Sequence, residues 1–415
     1  MWLSQTSPAE RRTLTATYAG YAVDGFDHMI YTFLIPTLMT LWGLSKAQAG
    51  YIATGALLTS AVGGWLAGVL ADRYGRVRVL QWTVVWFAAF TFLSGFTQSY
   101  EQLFFTRAMQ GLGMGGEWAV GSVLIAETIQ ARHRGKAVGL VQSSWAIGWA
   151  ASALAFWGLY AVLPPEQAWR ALFWVGILPA LLIVYIRRNV EDSPVYLQTV
   201  CQSDVMRSGT HFLGIFRREL LPTTVLASLL ATGMQGAYYS VTTWLPTYLK
   251  TERHLSVFST SGYLLVLIGG SLAGYLCSAW LNDAIGRRRS FLLFAASGAA
   301  LVLSYTQMPI TNEWMMVLGF PLGFFLSGIF SGMGAFLAEL FPNELRGSGQ
   351  GFCYNVGRAI GSVFPALIGV WSANGNLGVI LGWAAASCYG LVIVTALVLP
   401  ETRGRELHEV AVPSN

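Results

Sequence analysis

Twelve stretches of this chain each run for about twenty mostly apolar residues, the length a hydrocarbon core requires of one helix, and that repetition constrains the fold more than any other feature. They lie at approximately 17–40, 47–70, 79–97, 101–126, 137–161, 169–187, 221–249, 257–281, 289–308, 312–338, 348–372 and 377–399. Backbone groups cannot stay unpaired in lipid, so such runs must be helices. Hydrophobic residues make up 54% of the chain and charged residues 11%, too few polar side chains to cover a soluble protein of 415 residues.

The basic residues are unevenly placed among the loops. Nineteen Lys and Arg fall on one side of the expected membrane, including Arg73, Arg76, Arg78, Arg132, Arg134, Lys136, Arg287, Arg288, Arg289 and Arg346. Four, Lys46, Arg170, Lys250 and Arg253, fall on the other. Cytoplasmic loops retain Lys and Arg, so both termini and the central linker are expected in the cytoplasm. This also accounts for the net charge of +5 without a nucleic-acid partner. Arg11 and Arg12 precede an apolar stretch longer than a signal peptide's, which reads as a retained first helix. Short loops and the lack of eukaryotic targeting signals point to a bacterial inner membrane. The four cysteines are scattered singly, and neither a disulfide framework nor a metal site is expected.

The chain repeats itself. Pro36 matches Pro246, Asp72 matches Asp283, Glu127 matches Glu339 and Arg134 matches Arg346, at offsets of 210, 211, 212 and 212 residues. The expected fold class is therefore an all-α membrane protein of twelve transmembrane helices in two pseudo-symmetric six-helix bundles. The expected domains are residues 1–187, a linker over 188–220, and residues 221–415. Parallel halves of this kind can rock about a midplane site, giving alternating access.

The loop after the second span reads Asp72-Arg-Tyr-Gly75-Arg76-Val-Arg78, and its copy after the eighth reads Asp283-Ala-Ile-Gly286-Arg287-Arg288. Glycine suits the tight turn, and the acid lies where basic partners can meet it. With Arg107-x-x-x-Gly111 and Glu127 through Arg134-Gly135, these motifs resemble the major facilitator superfamily across essentially the whole chain. Asp72, Arg76, Glu127, Arg134, Asp283, Arg287, Glu339 and Arg346 are expected to form a structural latch at the cytoplasmic face. That latch would hold the outward-facing state and part when the halves rock inward. Pro400-Glu401-Thr402-Arg403-Gly404 resembles the signature that ends each half in metabolite and sugar transporters of this superfamily.

Charges inside the spans are costly and need a partner or a function. In the first span Asp24, Asp27, His28 and Tyr31 recur at i, i+3, i+4 and i+7 on one stripe, with Asp27 about 15 Å deep at the helical rise. Two acids this close disfavour each other's charge, as does burial, so a carboxyl here can load and unload a proton. Asp27, with Asp24 and Glu117, is the candidate for proton coupling. The alternatives are that Asp24 or Asp27 merely neutralises Arg107, or that Glu117 does. Arg358 in the eleventh span is about equally deep, and its planar fork suits a carboxylate. It is the candidate anion receptor, against a salt bridge to Asp24, Asp27 or Glu117. Arg107, Tyr31, Gln235, Tyr239 and Asn355 are further candidates for substrate binding, and the aromatic ones equally suit ordinary helix packing.

Asp24-Gly-Phe-Asp27, the glycine-rich run from Arg107 to Glu117-Trp118, and Asn355-Val-Gly-Arg358 together resemble one branch of the superfamily. It is similar to the sialate and aromatic-acid type organic acid:proton symporters. The resemblance implies uptake of a small carboxylate with protons, Asp27, Asp24 and Glu117 acting as coupling acids and Arg358 as the anion contact. The expected partners are that carboxylate, protons and the bilayer, with the protein acting as a monomer and without a cofactor. A proton-coupled exporter of drugs or metabolites is the alternative, favoured by the aromatic content and disfavoured by the midplane arginine. A transport-inactive sensor has no supporting feature beyond the fold. No nucleophile–base pair or nucleotide loop marks an enzyme, and without a Walker motif ATP is not the energy source.

Overall fold

The computed structural model describes residues 5–130, 134–178, 185–186, 213–342 and 345–403. The first bundle contains α1 (Pro8–Trp42), α2 (Lys46–Tyr74), α3 (Arg76–Ser94), α4 (Tyr100–Thr128), α5 (Arg134–Val162) and α6 (Pro165–Val175). The second contains α7 (Leu221–Thr251), α8 (Val257–Ile285), α9 (Arg287–Gln307), α10 (Asn312–Gly328), α11 (Met333–Glu339), α12 (Arg346–Gly361), α13 (Phe364–Trp371) and α14 (Leu377–Val398). Local signals set the starts. Ser7 and Glu10 form a reciprocal capping box on α1, and Ser45 and Gln48 form one on α2.

Two spans expected to be continuous are broken. The tenth consists of α10 and α11 joined by a 3₁₀ turn at Ile329–Gly332, between small residues. The eleventh breaks between α12 and α13, where Pro365 has no N–H to give and its ring crowds the preceding turn. Seven stretches among the described residues are long and apolar enough to cross a membrane. Of the other five, the first, fourth and seventh carry polar and charged side chains, the eleventh is split into helices of 16 and 8 residues, and the sixth lies partly outside the described residues.

The repeat is visible in backbone geometry. Gly75 and Gly286, 211 residues apart, join α2 to α3 and α8 to α9 with φ of 98° and 96°, a region open to glycine and strained for other residues. Close helix contact also recurs. A Cβ at Gly115 would strike the Ser60 carbonyl across the α2–α4 interface, and one at Gly323 would strike the Leu267 carbonyl across α8–α10.

Between bundles, α1 packs on α7, α5 on α8, and α2 on α12 and α13. The fit differs at the two ends of the molecule. At the arginine-poor end, Thr54 Oγ1 in α2 donates to the Ser362 carbonyl at 2.7 Å and accepts from the Ala366 N–H at 3.1 Å. One hydroxyl thus serves two backbone groups freed by the break in the eleventh span. Lys46 Nζ donates to the Ser372 carbonyl at 2.9 Å, and a Cβ at Gly50 would lie 2.6 Å from the Pro365 carbonyl. At the arginine-rich end, Gly68 in α2 and Gly347 and Gly351 in α12 have open space around the Cβ position among the described residues. The bundles are closed at the arginine-poor end.

Replacing Thr54 with valine keeps the volume and strands both backbone groups, at an expected cost of about 1–3 kcal/mol. Thermal unfolding in detergent should show Thr54→Val below wild type and Thr54→Ser close to it. Equal melting of all three would mean the bridge contributes nothing.

Candidate functional site

The stripe on α1 divides between two groups, for a geometric reason. At about 100° per residue, Tyr21, His28 and Asp24 point to one side of the stripe while Tyr31 and Asp27 turn towards the other. Asp24 lies near the middle.

The first group is inside the first bundle. Arg107 Nη1 lies 3.5 Å from Asp27 Oδ2, with side chains 2% and 0% exposed. Thr91 in α3 donates to Asp27 Oδ1, and Gln110 in α4 donates to Oδ2. The Arg107 guanidinium lies 5.7 Å from the ring centres of both Tyr31 and Phe173, and the Tyr31 hydroxyl donates to the Ala49 carbonyl at 2.8 Å. Asp27, Arg107 and Tyr31 are thus brought together between α1, α2 and α4, where Arg107 Nε and Nη1 and Gln110 Oε1 have no hydrogen-bond partner among the described residues.

The second group lies between the bundles. Arg358 is 4% exposed, and its Nη2 donates to the Tyr354 hydroxyl at 3.3 Å. The Tyr239 hydroxyl also meets the guanidinium. No carboxylate among the described residues comes within ion-pair distance of Arg358. Its neighbours are fixed in turn: Tyr239 donates to Gln235 Oε1 at 3.1 Å, and Gln235 Nε2 donates to the Tyr354 carbonyl at 2.9 Å. Gln235 therefore holds the Tyr239 phenol and the Tyr354 main chain. Facing Arg358 from the first bundle are Tyr21, Asp24 and His28, all within its electrostatic reach. Asp24 is joined by a side-chain hydrogen bond to Glu117 of α4. Two carboxyls can share a hydrogen bond only when one holds a proton.

Aromatic rings line the same region. Trp145 of α5 lies 5.2 Å from Tyr21 and 5.6 Å from His28, and its indole N–H donates to the Tyr238 hydroxyl at 2.6 Å. His28 lies 6.2 Å from Tyr239, and Phe330 lies 5.3 Å from Tyr238. Four buried polar atoms in this group, Asp24 Oδ1, Glu117 Oε2, His28 Nε2 and Arg358 Nε, have no hydrogen-bond partner. Native proteins rarely leave such atoms unsatisfied, and a cluster of them marks where a polar molecule binds.

Asn355 stands apart from this group. Its Nδ2 donates back to the Gly351 carbonyl at 2.9 Å, and its Oδ1 faces Gly64 of α2. Trp145 was not legible as a site residue in the sequence, because a tryptophan in an apolar span reads as packing. The available signal was Trp145 and Trp149 at i, i+4 in a run of Gly, Ala and Ser.

Some of the residues expected to form a latch meet at the arginine-rich end. Arg287 Nη2 lies 3.3 Å from Glu339 Oε1, the Thr402 hydroxyl donates to Glu339 Oε2, and Arg346 Nε donates to the Ala338 carbonyl at 3.1 Å. Glu401 accepts from the Arg287 and Arg288 backbone N–H groups at 2.9 and 3.1 Å, sealing the N-terminus of α9. These contacts join helices of the second bundle to each other. Arg76 opens α3 directly after Gly75. The side chains of Asp72, Glu127, Arg134 and Asp283 lie outside the described residues, as does most of the expected linker.

Removing one partner of a buried ion pair costs about 3–5 kcal/mol, because the other charge is left uncompensated. Arg107→Leu should therefore melt well below wild type in detergent, and the double variant Asp27→Asn/Arg107→Leu should recover much of the loss. Failure of the second change to rescue the first would show that the two residues do not act as a pair.

A family model described as Major Facilitator Superfamily matches residues 17–364 and 265–413. A probable 4-methylmuconolactone transporter of Cupriavidus pinatubonensis is 41% identical over 409 residues, covering 99% of this chain and 95% of that protein. A cis,cis-muconate transport protein of Acinetobacter baylyi is 30% identical, covering 91% and 92%. Among solved structures, a proton:xylose symporter bound to 6-bromo-6-deoxy-D-glucose aligns with a TM-score of 0.76 at 19% identity, covering 96% of this chain and 98% of that one. At that identity the likeness concerns the fold alone.

Proposed function

Because this chain belongs to the major facilitator superfamily and is an integral membrane transporter of organic metabolites, we propose that it imports a small organic acid together with protons by alternating access. The observation that carries the reading is Arg358, a buried guanidinium held between two bundles by phenols and unpaired with any described carboxylate. A guanidinium stays charged at all working pH values and offers a fork that a carboxylate fits, so a substrate anion completes it.

The proton is assigned to Asp24 and Glu117. The two carboxyls interact directly, and Asp24 lies within the electrostatic reach of Arg358, so a proton held by the pair is felt at the anion-binding pole. Asp27 keeps a supporting part: paired with Arg107, it fixes α1 against α4 and so aims Asp24 at the interface. The arginine-rich end is assigned to the cytoplasm of a bacterial inner membrane, with both termini there. On that assignment the closed end faces the outside. The relatives named for a muconolactone and a muconate support an unsaturated acid as the cargo. The two bundles move as units about the site, and the latch residues stiffen their cytoplasmic ends.

The test is uptake of a labelled organic acid into proteoliposomes, driven by an inside-alkaline pH gradient. Arg358→Lys should weaken the apparent affinity by about tenfold, the loss expected when a fork becomes a point charge. Glu117→Gln should abolish accumulation against a gradient while leaving exchange of external for internal acid. Normal gradient-driven accumulation by Glu117→Gln would remove the pair from coupling. Transport of only neutral or cationic compounds would overturn the organic-acid reading itself.

A further inference from the structure

The charges at the bundle interface are unequal in number and kind. Two arginines are buried at the centre, and Arg107 is committed to Asp27 at 3.5 Å. Among the described residues this leaves Arg358 as the single cation there without an acid beside it. Across from it stand two carboxyls, Asp24 and Glu117, each with an oxygen that has no hydrogen-bond partner. Between the two poles lie Tyr21, Trp145, His28 and Tyr239, with neighbouring ring centres 5.2 to 6.2 Å apart.

We infer that the site selects acids bearing one carboxylate on a flat, unsaturated frame whose far end carries a neutral oxygen, in preference to dicarboxylates of the same frame. The inference rests on the organic-acid reading above. One carboxylate is satisfied by Arg358 and the phenols of Tyr239 and Tyr354. Ring faces suit a planar frame because they offer broad apolar contact at little entropic cost. At the far pole, a carboxyl that holds a proton donates well to a lactone, ester or keto oxygen. A second carboxylate brought there meets two acids, and like charges at close range in a buried site repel strongly. An α-ammonium is disfavoured for a different reason: it is borne beside the carboxylate, so it meets the like charge of the Arg358 guanidinium. His28 adds no cation-specific contact; its Nε2 is a further hydrogen-bonding position for a neutral oxygen.

The experiment is isothermal titration of the detergent-purified full chain with three probes. They are 4-methylmuconolactone as the monocarboxylate with an unsaturated lactone, cis,cis-muconate as the dicarboxylate, and phenylalanine as a flat zwitterion. The lactone acid should bind at least about tenfold more tightly than the other two, a difference of about 1.4 kcal/mol. Asp24→Asn/Glu117→Gln should narrow that gap by strengthening muconate binding, and Asp24→Asn alone serves if the double variant does not fold. Muconate or phenylalanine binding as tightly as the lactone acid overturns the selectivity and leaves the organic-acid reading standing. Binding of none of the three, with binding of a neutral sugar or a cationic drug, removes the organic-acid reading and this inference with it.

Discussion

A guanidinium placed at mid-membrane must be compensated or it will not insert, since even insertion scales charge about 2.5–3.5 kcal/mol for it. The protein answers this demand in two ways. Arg107 faces the Asp27 carboxylate of α1, which in turn accepts from Thr91 of α3 and Gln110 of α4, so opposite charges meet inside the first bundle. Arg358 receives only phenolic oxygens and an aromatic face among the described residues, with Gln235 holding the Tyr239 phenol and the Tyr354 main chain. The first arrangement is scaffold. The second leaves a positive charge without a carboxylate at ion-pair distance among the described residues, where the proposed substrate anion would complete it.

The position of Arg358 links that charge to the closure of the molecule. One helical turn separates it from Ser362, where the eleventh span breaks before Pro365. The backbone groups released by the break are bound by Thr54 of the other bundle. The closed end of the interface is therefore built on the same irregularity that terminates the arginine's helix. Any relative motion of the bundles that opens this end must disturb hydrogen bonds within one turn of the anion site. At the opposite end, the network around Glu339 and Glu401 ties helices of the second bundle together, which suits bundles that move as units.

The sequence carried the large-scale answer with few ambiguities. Twelve apolar runs, the repeat at offsets near 211, and the glycines following Asp72 and Asp283 each have one structural consequence in lipid, and the two glycines adopt matching conformations. It also marked the functional residues as a set, because Asp24, Asp27, Glu117, Arg107 and Arg358 are costly wherever they lie in a membrane. It did not reveal the break in the tenth span, which has no proline at the 3₁₀ turn, nor the part played by Trp145.

What only the tertiary structure decided is which charge faces which. Asp24 and Asp27 are one turn apart and look equivalent in the sequence, yet a difference of about 60° in direction sends one to Glu117 at the bundle interface and the other to Arg107 inside a bundle. Asn355 and Arg358 are likewise one turn apart, and one faces Gly64 while the other faces the centre. Composition and periodicity fix how many helices form and which residues are too polar for lipid, because those depend on each residue's own cost of transfer. Pairing depends on how helices are rotated and stacked, and that is settled by contacts such as Gly115 on Ser60 that bring distant parts of the chain together.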